Sequence, residues 1–153
     1  MVLEKNIDQT SKYYQKDRPY LSTFQVANEG RSNQLFVIGD SHAVRLSYRF
    51  QQLYFDSKTA NKTDQFPTVV TMALLERPLN AENYLLQFSI DMIKKHRPKR
   101  VLFLCHWFIY YCRNYPECNY GKFETDIKEL VEKIKEVQAL GVELFTQNIE
   151  LHY

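Results

Sequence analysis

The sequence has few cysteines, few glycines and no long apolar run, and each shortage excludes something. Three cysteines in 153 residues are too few for a disulfide-dense secreted scaffold. Four glycines exclude collagen-like and glycine-rich repetitive structure. No stretch of about 18 consecutive apolar residues occurs, which is the length a membrane-crossing helix needs. The opening segment MVLEKNIDQTSKYYQK lacks the apolar centre of a secretory signal. The formal net charge is only +2, and aromatic residues do not alternate with basic ones along a stripe, so nucleic acid is not an expected partner. The basic run KKHRPKR at 94–100 reads as a helix end followed by an exposed turn.

What is present suffices for one packed domain. Apolar residues make up 44% of the chain and aromatics 14%, enough for a sizeable core at this length and too little chain for two such cores. Residues 1–33 are polar and mixed in charge, broken by Pro19 and Gly30, and read as a linker or loosely packed arm. The domain proper is expected over 34–153.

From Gln34 the pattern alternates between short apolar runs and helical periodicity. Leu35–Ile38 is a continuous apolar run suited to a buried parallel strand, and Ala43–Phe55 repeats Leu46, Phe50, Leu53 and Tyr54 at helical spacing. A second strand is expected at Thr68–Met72, then a helix from about Asn80, as N-cap, to His96, which Pro98 closes. His96 sits where a cation would complement the helix dipole. A third strand at Val101–Cys105, a helix at Phe123–Leu140 capped by Gly141 and a fourth strand at Val142–Thr146 complete the series. Strands alternating with helices predict an α/β fold, a three-layer, doubly wound and mainly parallel sheet of the flavodoxin-like kind, cut short after its fourth strand.

Cys112 and Cys118 flank five residues in CRNYPEC. They are a candidate disulfide in an oxidising compartment and free thiols in a reducing one.

Ligands of open α/β sheets bind beyond the carboxyl ends of the strands, and the first strand ends there in Gly39-Asp40-Ser41-His42. Ser41 has two readings. It is a nucleophile projecting from the turn, with backbone N–H groups at the helix start to hold an oxyanion, or it or Asp40 simply caps the helix.

The run VIGDSHA resembles the opening block of the SGNH (GDSL-like) hydrolases, in the Asp-Ser-His variant seen in SGNH domains fused to type 3 membrane acyltransferases. VLFLCHWFIYY at 101–111 resembles that family's third strand, which ends in a Trp, and the His-Arg-Pro ending of the preceding helix fits as well. The likeness runs over about residues 34–150. It implies O-acyl transfer or O-deacylation on sugars or lipids, with Ser41 as nucleophile and its backbone N–H as one oxyanion donor. It implies no cofactor and no metal. The partners it implies are an acyl ester or acyl acceptor and a membrane acyltransferase module encoded elsewhere, and the location it implies is the extracytoplasmic face of a membrane, where the Cys112–Cys118 bridge would form. The family's base and its orienting acid lie in a late Asp-x-x-His segment that this sequence does not contain.

Asp40 and His42 flank the serine without an assigned role, and His42, entering the helix, is expected to point elsewhere. His106 follows the third strand on the correct edge and is the internal candidate for a base; His152 lies one residue from the terminus. The family's Asn position after the third strand is held by His106-Trp107, and Asn148 has no assignable part. Trp107, with Phe108, Tyr110 and Tyr111, reads either as a substrate wall or as packing on the sheet edge. One rival enzyme class is the metallophosphoesterases, with Asp40 and His42 as metal ligands. A rival outside catalysis is an inactive fragment or interaction remnant of a larger acyltransferase.

Overall fold

The computed structural model describes residues 7–80, 82, 84–113 and 116–146, the side chain of Phe108 excepted. In chain order the strands are β1 (Thr23–Ala27), β2 (Gln34–Gly39), β3 (Thr68–Ala73), β4 (Arg100–Leu104) and β5 (Glu143–Thr146). The helices are α1 (Ser41–Thr59), α2 (Tyr84–His96), α3 (Trp107–Tyr111) and α4 (Tyr120–Gln138), with a single 3-10 turn at Thr63–Gln65. They form one sheet in the order β1-β3-β2-β4-β5. β2 pairs parallel with β3 and β4, β4 pairs parallel with β5, and β1 alone runs antiparallel, along β3.

The three inner strands are buried on both faces, and the period of two sorts their side chains between two cores. Phe36, Ile38, Val70, Met72, Val101 and Phe103 face a large core shared with α2 and α4. Val37, Val69 and Ala73 face a smaller one under α1, where Val44, Leu46 and Phe50 pack. This is the expected three-layer, doubly wound arrangement, and all four expected strands are found.

Two expectations need correction. The stretch 1–33, read as a loose arm, contributes β1 and part of the large core through its described residues: Tyr13 is fully buried, and Phe24 is 2% exposed. The polar alternation of TFQVA hid the strand. Its inward Phe24 and Val26 join the large core, while on the other face the Gln25 side-chain amide pairs with Gln51 of α1. Beyond β1, Asn28 adopts a left-handed φ of 54° and its amide donates to the carbonyls of Thr63 and Phe66 at 2.9 and 2.7 Å, a conformation asparagine tolerates. The described part of α2 begins at Tyr84, and Asn80, 3% exposed, donates its side-chain N–H to Asp126 of α4 at 3.1 Å.

The second correction concerns His96, read as sitting where a cation would complement the helix dipole. Its ring lies 4.7 Å from that of Tyr13 and 6.3 Å from that of Phe36. Burial, assisted by the nearby Lys95 and Lys12 charges, depresses its pKa below the usual 6.5, so the neutral ring is the packed form. The unfolded chain therefore takes up the proton more readily than the folded one. The stabilising contribution is fully present above about pH 6.5 and declines as pH falls through the lower, folded-state value. Denaturation midpoints of the chain should drop between about pH 7.5 and pH 5, and His96→Phe should flatten that slope. An unchanged slope in the variant would show that His96 is protonated equally in both states.

Candidate active site

β2 lies between strands reached by crossovers on opposite faces: α1 leads from β2 to β3, and α2 carries the chain from β3 past β2 to β4. The carboxyl end of β2 is thus the switch point of the sheet, where α/β folds open a crevice. The backbone there is tightly held. Leu74 N–H donates to Gly39 O at 3.0 Å, and Asp40 N–H donates to Leu104 O at 3.1 Å. A Cβ on Gly39 would stand 1.6 Å from Leu104 O, so only glycine lets β2 and β4 meet at this point.

Asp40 is the centre of the turn. It is fully buried, and its carboxylate accepts three hydrogen bonds and faces an imidazole nitrogen. Oδ1 takes the backbone N–H of His42 at 2.9 Å and faces His42 Nδ1 at 3.1 Å. Oδ2 takes the backbone N–H of His106 and the hydroxyl of Tyr110, each at 2.9 Å. Burial by itself would raise the carboxyl's pKa, but the donors from His106, His42 and Tyr110 together outweigh it and hold the pKa below the ordinary value. Asp40 is a buried, ionised hub.

This resolves the two readings of the serine in one respect. Asp40 is the N-cap of α1, and Ser41 is the first helical residue. The capping role is filled, so the Ser41 hydroxyl is not committed to it. Ser41 is half-buried, at the N-terminal and hence partly positive end of a 19-residue helix.

The His42 ring meets the Asp40 carboxylate, and its side chain is 34% exposed. His106, the proposed base, is brought close. Its ring packs edge-on to that of His42 with centroids 5.2 Å apart, although only its backbone N–H bonds Asp40. Trp107 is 7% exposed and belongs to the large core. Among the described residues of α3, Ile109 is an exposed apolar one. His152 and Asn148 lie outside the described residues. Among the described residues no group of three or more His, Cys, Asp or Glu side chains that could hold a metal ion is found, which disfavours the metallophosphoesterase reading, whose two-metal site needs several ligands.

Two consecutive tyrosines, read from the sequence only with Trp107 as a substrate wall or as sheet-edge packing, carry the support of the site. Tyr110 donates to Asp40, and Tyr111 donates to the buried Asp126 of α4 at 2.6 Å; burial first, and then the carboxylate each one meets, raises the pKa of both hydroxyls. Directly after them Cys112 is disulfide-bonded to Cys118, with Cα atoms 4.2 Å apart, and Asn119 N–H returns to Tyr111 O at 2.8 Å. The short α3 is therefore pinned at the turn, at α4 and at its own exit. Cys105 remains a free, buried thiol whose pKa burial pushes up, which makes it a poor nucleophile.

No family model matches the chain, and no curated protein matches it. Among solved structures, the chain is similar to the periplasmic domain of a lipopolysaccharide acetyltransferase from Salmonella ser. Paratyphi A, with 18% identity and a TM-score of 0.52 over 78% of this chain. The chain spans 46% of that domain's length. At this identity the likeness concerns the fold, an α/β domain with a mostly parallel sheet.

Proposed function

We propose that this chain carries the nucleophile half of an O-acyl transfer or O-deacylation site, with Ser41 as the residue that takes up the acyl group from an ester of a sugar or lipid hydroxyl. The observation that carries this reading is the division of labour at the turn: Asp40 caps α1 and leaves the Ser41 hydroxyl available at the switch point. The start of α1 supplies the Ser41 backbone N–H and the helix dipole toward an oxyanion. The structural neighbour is named as an acetyltransferase domain, which supports acyl transfer at that coarse level. Its being periplasmic, together with the Cys112–Cys118 disulfide, supports an extracytoplasmic location. No described helix is long and apolar enough to cross a membrane; a membrane acyltransferase module encoded elsewhere enters this proposal as a partner on the family resemblance alone. A second reading, a non-catalytic interaction remnant, is favoured by one observation: the Ser41 hydroxyl has no hydrogen-bond partner among the described residues.

A fluorophosphonate probe separates the two. Ser41-dependent labelling of the folded chain is expected, and Ser41→Ala should abolish it with the circular dichroism spectrum unchanged. A folded chain that takes up no probe at Ser41 would rule out catalysis and leave the remnant reading.

A further inference from the structure

We infer that the cavity between β1, α1 and the segment around Asp8 is a binding site for an uncharged saccharide, separate from the crevice at Ser41. It stands whether or not Ser41 is a nucleophile.

The cavity encloses about 620 Å³, within the roughly 300–1,000 Å³ of small-molecule sites. Its α1 wall runs from Tyr48 to Phe55. Gln51 in that wall is ten residues beyond Ser41, about 15 Å along the helix axis, so the two sites share a helix and not a crevice.

The polar part of the wall is built around two amides. Gln25 of β1 is 7% exposed and pairs with Gln51 of α1 across the floor. Whichever way the two amides are turned, one pairing between them leaves an N–H donor and a carbonyl acceptor over, and neither group has a further partner among the described residues. A buried amide with bonding capacity to spare is costly unless something fills it. A donor and an acceptor side by side match neighbouring hydroxyls, each of which both accepts and donates. Glu29 adds a fixed acceptor: Oε1 takes the Lys12 backbone N–H at 2.8 Å, and Oε2 is left to receive a hydroxyl.

The rest of the wall decides the class of ligand. Tyr48 and Phe55 are 42% and 69% exposed, and aromatic faces, which are negative, suit the C–H face of a sugar ring. Asp8 and Glu29 line the cavity, and among its described lining residues there is no Lys, Arg or His, so a phosphate, sulfate or uronate is repelled. Arg49 meets Gln52 at 3.1 Å but is not part of the wall. A wholly apolar ligand would strip water from the amides and both carboxylates without replacing it. A neutral polyhydroxylated ring satisfies both kinds of surface.

Amide correlation spectra of the nitrogen-labelled full chain, titrated with maltotetraose and with chitotetraose, test this. At least one of the two should move the side-chain amide signals of Gln25 and Gln51 and the backbone signals of 48–55, with saturation. Phe55→Ala, at an exposed position, should weaken that binding by roughly two- to tenfold, and Tyr120→Ala, at an exposed aromatic of α4, should leave it unchanged. A tetragalacturonate, which adds negative charge, should bind more weakly. No movement of these signals by either neutral sugar at about 10 mM overturns the assignment, as does tetragalacturonate binding equal to that of the neutral sugars. Largest shifts at Ser41 and His42 overturn it too, and so does a Phe55→Ala chain that binds as the wild type does or a Tyr120→Ala chain that is weakened equally.

Discussion

Gly39→Ala is expected to abolish the folded state, although it adds a single methyl group. The added Cβ would fall 1.6 Å from Leu104 O and 2.7 Å from Leu104 C, and both are backbone atoms of a paired strand that no rotamer change can move aside. Relief requires β2 and β4 to separate at the register pair Gly39↔Leu104. That would also break the Asp40 N–H bond to Leu104 O. Overpacking a core by a methylene usually costs about 1–3 kcal/mol where side chains can yield; a backbone collision exceeds this, against a total stability on the order of 5–15 kcal/mol. Gly121→Ala is the matched control. It lies in the first turn of α4 with no atom within 4 Å of the new Cβ, so it should be neutral or stabilising by about 0.5–1 kcal/mol. Urea denaturation of both variants checks the contrast, and a Gly39→Ala chain with a near-normal midpoint would mean that the two strands do not meet as closely as described.

The elements that could be read from the sequence were those whose local pattern and tertiary environment agree. LFVI and TVVTM are buried on both faces, as continuous apolar runs should be, and α4 shows its stripe of Ile127, Leu130, Ile134 and Val137 against the core. β1 could not be read because an edge strand of five residues with two polar side chains carries too weak a period. Its partner, β3, lies about forty residues away. α3 was concealed differently: VLFLCHWFIYY is an apolar run interrupted only by His106, and the change from strand to helix inside it has no glycine or proline to mark it. The absence of β1 from the expected strand set also made the sheet look shorter than it is.

At the site, the position of Ser41 was legible and its freedom was not. Aspartate and serine are comparable N-caps, so adjacent residues of those types leave the choice undecided locally. It is settled by donors 66 and 70 residues along the chain, His106 and Tyr110, which draw the Asp40 carboxylate into the turn. His42 meets the other oxygen of the same carboxylate. Sequence spacing could place a histidine beside the serine, but only the burial of its carboxylate partner could orient it.

Because these contacts converge on one side chain, Asp40→Ala is the second variant with a large expected effect, about 4–5 kcal/mol of destabilisation. Loss of the cap accounts for about 1 kcal/mol. The rest comes from leaving the His42 and His106 N–H groups and the Tyr110 hydroxyl without their acceptor in a site closed to water, where each orphaned donor costs about 1–3 kcal/mol and the costs add incompletely. Asp40→Asn keeps the volume but presents an N–H to one pair of donors, and should fall between the variant and the wild type. The pH dependence gives an independent reading. The folded carboxyl has a lowered pKa, so its contribution is present above the unfolded value of about 3.8 and is lost as pH falls through the folded one. Acid unfolding of Asp40→Asn should therefore be shallower than that of the wild type, even though the variant starts from lower stability. Tyr110→Phe tests one contact alone, since it removes one donor and leaves the His42 contact in place. It should cost about 1–2 kcal/mol while His42 stays on Asp40. If Tyr110→Phe instead releases His42, then Asp40 holds that ring only while α3 holds the carboxylate, and the pinned α3 is part of the site's geometry as well as of the fold.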